Sequence, residues 1–260
     1  MTTAQKKGGS QGRATGLNFE KVFMNKYGGK EPEKCVDIWG ERKTASKTDV
    51  LAKGHKYSIK NPKNKSTSTQ IQVCSVDRFC RLFDIDGDLK VSFDQFFGNH
   101  GFFKDKALFR EHCENVWNID TKKLCSDSEI RRNRILFNNV DNNHKIVEWF
   151  ENNTREVLEF VFKTSFNDPL NTDVIANRIC WTEKQNCMTT RQEYDIDLLI
   201  NDIIPQISVN VRESQSVIEM GPITLQMKGS GRGSSYHNMQ FNASLNDIAR
   251  YSKTAKVIPI

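Results

Sequence analysis

The sequence of 260 residues lacks the features that mark membrane and secreted proteins. It contains no run of about 18 apolar residues, and its most apolar stretch, residues 196–211, is interrupted by aspartate, asparagine and proline. The N-terminal residues include no apolar segment of the kind found in signal peptides. We therefore expect a soluble protein of the cytoplasm.

Cysteine is scarce and irregularly placed. The seven cysteines are an odd number, and none of them forms a Cys-x-x-Cys pair. This pattern indicates free thiols in a reducing compartment, and it argues against a structural zinc site, which needs paired ligands.

Acidic residues are in the minority, so the net charge is +6. The excess is uneven, because residues 41–65 contain eight lysines and arginines but only two acidic residues. Concentrated positive charge favours a polyanionic partner such as nucleic acid.

The apolar pattern divides the chain into three parts. Residues 1–16 have almost nothing to bury and predict a disordered basic arm. Residues 17–110 predict a catalytic core, and residues 111–260 the remainder of the same domain. The C-terminal third alternates polar and apolar residues and predicts a second, mostly antiparallel sheet. The expected fold class is α/β (α+β), with a mixed sheet flanked by helices and a β-rich C-terminal region.

The core begins with a predicted helix from Leu17 that stops at the glycine pair 28–29. Two short strands around a tight turn follow over residues 49–60, then a third strand over residues 69–74 and a second helix from Ser75. Glu20 lies on the first helix.

Three polar side chains converge on the predicted hairpin. If Gly54 and His55 form the turn, Asp49 lies directly across from Lys60. Ser58 shares the face of Lys60, whereas Tyr57 and Ile59 point to the opposite, buried face. A carboxylate that binds a hard divalent cation, beside an ammonium that orients water, suits metal-assisted hydrolysis of phosphodiesters.

The helix with Glu20, the strand with Asp49 and the Ser58-Ile59-Lys60 strand resemble the PD-(D/E)xK nuclease superfamily, whose core order is helix, three strands, helix, strand. The sequence departs at two positions, where Thr48 replaces the proline and Ser58 the second acid. Some restriction endonucleases of this superfamily also have serine there and supply the missing acid from further along the chain.

The resemblance implies a type II restriction endonuclease that cuts double-stranded DNA with Mg²⁺. Asp49 and the Ile59 carbonyl would ligate the metal directly, and Glu20 would assist through water. Lys60 would orient or activate the attacking water, with Ser58 lining the site. Further along, Gln72 is the candidate substituted ligand and Asp77 the candidate substitute acid.

A second resemblance lies in residues 223–241, a strand, a glycine-rich basic loop and a second strand similar to elements of various type II restriction endonucleases. Its candidate DNA contacts are Lys228, Arg232, Ser234, Ser235, His237 and Asn238. Arg232 is the first choice for reading a base, because arginine bound to guanine is the commonest specific contact. Around the catalytic hairpin, Lys43, Lys63 and Lys65 are candidates for binding the DNA backbone.

Several alternatives stay open at this point. The charged hairpin is also compatible with a surface ion pair, and the glycine-rich loop with a flexible linker. The missing second acid leaves room for a DNA-binding protein that does not cut, and a junction-resolving nuclease would share the same site. A restriction enzyme would further imply a cognate DNA methyltransferase in the same restriction–modification system, and a homodimer is one candidate assembly.

Overall fold

The computed structural model describes residues 3–41, 43–44, 46–97, 111, 140–212, 217–227 and 238–257. Its helices are α1 (Thr3–Tyr27), α2 (Val76–Leu82), α3 (Gly87–Phe96), α4 (Val140–Asn152), α5 (Thr154–Glu159), α6 (Ile196–Ile203) and α7 (Leu245–Tyr251). Its strands are β1 (Cys35–Val36), β2 (Lys43–Thr44), β3 (Val50–Ala52), β4 (His55–Lys60), β5 (Thr69–Ser75), β6 (Arg178–Thr182), β7 (Arg191–Asp195), β8 (Val209–Arg212), β9 (Val217–Met220), β10 (Ile223–Met227), β11 (Asn238–Ala243) and β12 (Lys256–Val257).

The helix α1 covers one face of the first sheet. It ends at Tyr27, and Gly28 follows with φ of 66°, a left-handed conformation that glycine adopts readily; the predicted stop is confirmed. Phe19 and Phe23 are buried against Tyr57 and Ile59 of β4. α1 begins at Thr3, within the residues 1–16 for which the sequence predicts a disordered arm. Once a helix is nucleated by its packed end, each added residue gains a hydrogen bond.

The first sheet has the strand order β12-β7-β6-β4-β3 and is mixed. β4 runs parallel to β6, while its other neighbour, β3, is antiparallel. β4 is therefore an inner strand, and this explains why Ser58 is buried together with the apolar residues beside it. The predicted mixed α/β class with flanking helices is confirmed.

The turn between β3 and β4 is one residue earlier than predicted. Lys53 and Gly54 have φ of 48° and 78°, and both central residues of a type I′ turn need positive φ. Val50 consequently pairs with Tyr57, and Ala52 with His55. The predicted turn at Gly54 and His55, which placed Asp49 across from Lys60, is wrong. Extending the observed register by one residue places Asp49 across from Ser58.

The second sheet has the order β5-β11-β10-β9-β8 and is antiparallel throughout, which confirms the predicted C-terminal sheet. The predicted sequence of helix, three strands and helix is present as α1, β3, β4, β5 and α2, with the short β1 and β2 interposed. Because β5 pairs with β11, the three strands are divided between two sheets. Both sheets therefore combine strands from the two halves of the chain.

The helical segment over residues 140–164 changes its winding twice. The predicted break near residues 152 and 153 is confirmed, since α4 ends at Asn152 and α5 begins at Thr154. A π-helical turn over Phe160–Thr164 follows and ends at Ser165, whose φ is 53°. Such turns are found frequently at functional sites. In the described part of the chain no helix combines the length and the apolar character that a membrane crossing requires.

Candidate active site

Asp49, Ser58 and Lys60 meet at the open end of the β3–β4 hairpin. Oδ2 of Asp49 accepts a 2.6 Å hydrogen bond from the backbone N–H of Ile59 and one of 3.5 Å from Oγ of Ser58. Nζ of Lys60 donates to Oγ of Ser58 at 3.0 Å and lies 3.9 Å from Oδ2 of Asp49. The ammonium also donates to the Ile59 carbonyl at 3.2 Å. The expected convergence of carboxylate, hydroxyl and ammonium is thus present.

These groups open into a cavity of about 260 Å³ between the two sheets. Its lining is predominantly polar and includes Ser46, Lys47, Asp49, Ser58, Lys60, Gln70, Gln72, Arg78 and Ser165. The β4 end of the first sheet supplies the carboxylate and the ammonium, and β5 of the second sheet supplies the amides. The cavity therefore depends on the packing of one sheet against the other.

Glu20, on α1, lies outside the cavity lining but close enough to Asp49 and Lys60 for their charges to shift its pKa. Burial and, to a lesser degree, the neighbouring Asp49 carboxylate raise its pKa to about 7, against a lowering by the Lys60 ammonium. Among the described residues, no group donates a hydrogen bond to the Glu20 carboxyl. The carboxyl groups of Asp49 and Glu20 thus lie near each other with few hydrogen-bond donors. A bound cation would reduce the repulsion between their charged forms.

Gln72 lies in the cavity, as the sequence indicates, and both ends of its amide have partners. Its Oε1 accepts from Nζ of Lys47 at 3.3 Å, and its Nε2 donates to Oγ of Ser165 at 2.8 Å. Sequence reasoning missed both partners. Ser165 is 93 residues away from Gln72 in the chain, and its positive φ has no signature in the sequence.

Lys47 is a second cavity lysine that the sequence analysis did not single out. Its side chain is buried, and Nζ donates to the Ile71 carbonyl at 3.1 Å as well as to Gln72. Burial lowers its pKa well below the usual value, and the charge of Lys60 lowers it further. Its position two residues before Asp49 is a signal that could have been used, since alternate residues of an extended segment share a face.

Asp77 is directed away from the cavity. It lies in the first turn of α2 with 63% of its side chain exposed, and its Oδ1 is 3.2 Å from Nζ of Lys90. The cavity lining does not include it. The sequence predicts that Asp77 replaces the missing acid. In the structure its side chain instead pairs with Lys90 of α3.

The predicted DNA-binding residues fall into two groups. Lys63 and Lys65 are exposed on the loop after β4, and Asn238 begins β11 opposite Ser75. Lys43 lies on β2, where only the backbone is described. Lys228, Arg232, Ser234, Ser235 and His237 lie outside the described residues, so their assignment stays a prediction.

The residues of the site fit a divalent cation that is also bound by substrate. Within the described residues, no cluster of three or more His, Cys, Asp or Glu side chains could hold a metal. The available oxygens are the carboxylates of Asp49 and Glu20 and the Ile59 carbonyl, and no donor in the described residues occupies Oδ1 of Asp49. Mg²⁺ is typically bound by one or two carboxylates, with waters and substrate phosphates completing the shell.

Comparison with protein-family models and with curated protein sequences finds no match. Among solved structures, the chain is similar to restriction endonuclease MspI in a crystal structure with its cognate DNA. The two are 12% identical, with a TM-score of 0.44 over 83% of this chain and 69% of that one. A similarity at this level concerns the path of the chain and not individual side chains.

Proposed function

We propose that the protein is a Mg²⁺-dependent endonuclease of double-stranded DNA, of the type II restriction class, which cuts at a specific short sequence. The observation that carries this proposal is the convergence of Asp49, Ser58 and Lys60 in a polar cavity that Glu20 approaches from α1. A surface ion pair would not explain why Asp49 and Lys60 line a cavity. It would also not explain why a second carboxyl group, that of Glu20, lies nearby without a hydrogen-bond donor among the described residues.

Each residue has a role that its contacts support. Asp49, Glu20 and the Ile59 carbonyl would hold Mg²⁺, which when bound neutralises phosphate charge and lowers the pKa of water. Lys60 orients the attacking water, since its ammonium is fixed on Ser58 and beside Asp49. Ser58 lines the site and aims Lys60. Gln72 holds the Lys47 side chain in place, because its oxygen already accepts a hydrogen bond from Nζ of Lys47.

The DNA partner is supported by charge. Lys63 and Lys65 extend the basic surface from the hairpin, and positive charge that neutralises phosphates contributes affinity independent of sequence. We assign the reading of bases to the segment between β10 and β11, with Arg232 as its first candidate. A cognate methyltransferase and a homodimeric assembly belong to the same proposal.

The test is cleavage of plasmid DNA of known sequence by the purified protein. With Mg²⁺ we expect discrete fragments, and with chelator none. Asp49→Ala and Lys60→Ala should each abolish cutting while the circular dichroism spectrum stays that of the wild type. Lys253→Ala, which removes an exposed lysine outside the cavity lining, is the matched control and should cut normally. Full activity of either site variant would overturn the assignment of the site.

A DNA-binding protein without catalysis is the second candidate, and Ser58 in place of a second acid favours it. In that case duplex DNA would be bound in a salt-dependent manner and stay intact with Mg²⁺. A junction nuclease would cut branched DNA in preference to linear DNA. Mapping the cut ends on linear and branched substrates separates all three functions.

A further inference from the structure

Arg78, on α2, presents a fixed guanidinium at the edge of the catalytic cavity. Its Nη2 donates to Oδ2 of Asp37 at 2.9 Å, and the Asp37 side chain is fully buried. Cζ of the guanidinium lies 4.0 Å from the ring centre of Phe166 and 5.4 Å from that of Trp39. An acid at one end and two rings beside it therefore hold the side chain in place.

The other donors of Arg78 have no acceptor within the part of the chain that the structure describes. Among the described residues, only Nη2 makes a hydrogen bond, and Nε and Nη1 are left for a partner from outside the chain. The side chain is 26% exposed and lines the same cavity as Asp49 and Lys60. A planar fork of N–H donors that is aligned in advance matches a phosphate group, and little conformational entropy is lost when it binds.

We propose that Arg78 binds a backbone phosphate of the DNA in this cavity and so positions the strand against Asp49 and Lys60. The inference rests on the proposed function and adds a substrate-binding residue to it. Arg81 offers an internal comparison, because it also lies over Trp39, at 4.3 Å. It differs in that Glu41 occupies both of its terminal nitrogens, and it does not line the cavity.

The experiment measures the binding of a labelled duplex in EDTA, where DNA is bound and not cut, over a series of salt concentrations. Each phosphate contact contributes a slope of about −0.9 to the plot of log K against log salt. Arg78→Gln removes the charge but keeps a donor for Asp37. We expect its slope to be shallower by about one and its Kd at low salt to be raised roughly 10- to 100-fold. Arg81→Gln should change neither quantity.

A purely structural role for Arg78 would lower the melting temperature without changing the salt slope, and a slope equal to that of the wild type would overturn the inference. If Arg78→Gln does not fold, Arg78→Lys decides: a raised Kd at the wild-type melting temperature supports phosphate binding by the fork, and an unchanged Kd refutes it. Wild-type protein that neither binds nor cuts duplex DNA would refute the proposed function instead.

Discussion

Glu20 provides the most direct test of the electrostatics of the site. Its pKa is raised from 4.5 to about 7, first by burial and then by Asp49. Because the folded protein favours the neutral carboxyl, the unfolded chain loses the Glu20 proton at a lower pH than the folded protein does. The folded state is thus destabilised as the pH rises from about 4.5 to about 7. Glu20→Gln, which stays neutral, should therefore be more stable than the wild type at high pH in the absence of metal.

The size of this effect follows from the pKa. A rise from 4.5 to about 7 corresponds to roughly 3 kcal/mol of preference for the neutral form, at about 1.4 kcal/mol for each pH unit. Glu20 is only half-buried, so solvent screening reduces the expected gain to about 1–2 kcal/mol. For a chain of this length, that gain raises the melting temperature by about 2–6 °C.

The assay is thermal unfolding of both proteins in EDTA between pH 5 and pH 8. The melting temperature of Glu20→Gln should exceed that of the wild type by a small amount at pH 5. This difference should grow with pH and level off above pH 7. Glu33→Gln, which removes an exposed carboxylate, should show no such growth. A difference that does not vary with pH, or a variant that is less stable than the wild type at pH 8, would refute the reasoning.

Three further predictions concern stability. Asp202 accepts hydrogen bonds from the N–H groups of residues 253–255, which outweigh burial and lower its pKa. Asp202→Ala should lose about 1–2 kcal/mol at pH 7, and less as the pH falls through the pKa of the folded state, measured by urea unfolding. Burial lowers the pKa of Lys47 well below 10.5, so the cost of burying its charged form is lost as the pH rises towards 10.5, and the melting temperature of Lys47→Met relative to the wild type should fall over that rise. Phe79 is fully buried among the rings of Phe93, Phe150 and Phe241, and Phe79→Ala should lose about 3–5 kcal/mol, whereas exposed Leu170→Ala should lose less than about 0.5 kcal/mol.

The hairpin shows how a local error can leave a site prediction intact. Moving the turn from Gly54 and His55 to Lys53 and Gly54 changes the partner of Asp49 by two residues, from Lys60 to Ser58. Because side chains alternate along a strand, a shift of two keeps the partner on the same face. Asp49 therefore still meets Lys60, through Ser58 rather than directly. The alternation of side chains was sufficient to predict that Asp49, Ser58 and Lys60 lie together. The turn geometry was needed to predict which of them contacts Asp49 directly.

The rest of the site depends on contacts that no local pattern contains. Gln72 meets Ser165 only because β5 packs against the π-helical turn, and Arg78 meets Asp37 across 41 positions of the chain. Asp77 illustrates the converse, since its place in the sequence made it the candidate substitute acid but the first turn of α2 directs it to Lys90. Residue spacing predicts a face within one element, and the packing of elements decides which faces meet.

The charges of the cavity connect these findings to the proposed chemistry. Lys60 and Arg78 bring positive charge to a cavity that Asp49 also lines, and the nearby Glu20 favours its neutral form. Under the proposed function, a divalent cation would favour the ionised form of Glu20 and pair it with Asp49, and a phosphate would bind the open donors of Arg78. Each partner thus improves the site for the other, and by linkage the two affinities are raised by the same factor. A third carboxylate in place of Ser58 would strengthen cation binding in the absence of DNA, because it adds charge beside Asp49. Under the proposed function, serine at this position would make the cation depend on the phosphate for its remaining ligands, so we expect the metal site to be complete only when DNA is bound.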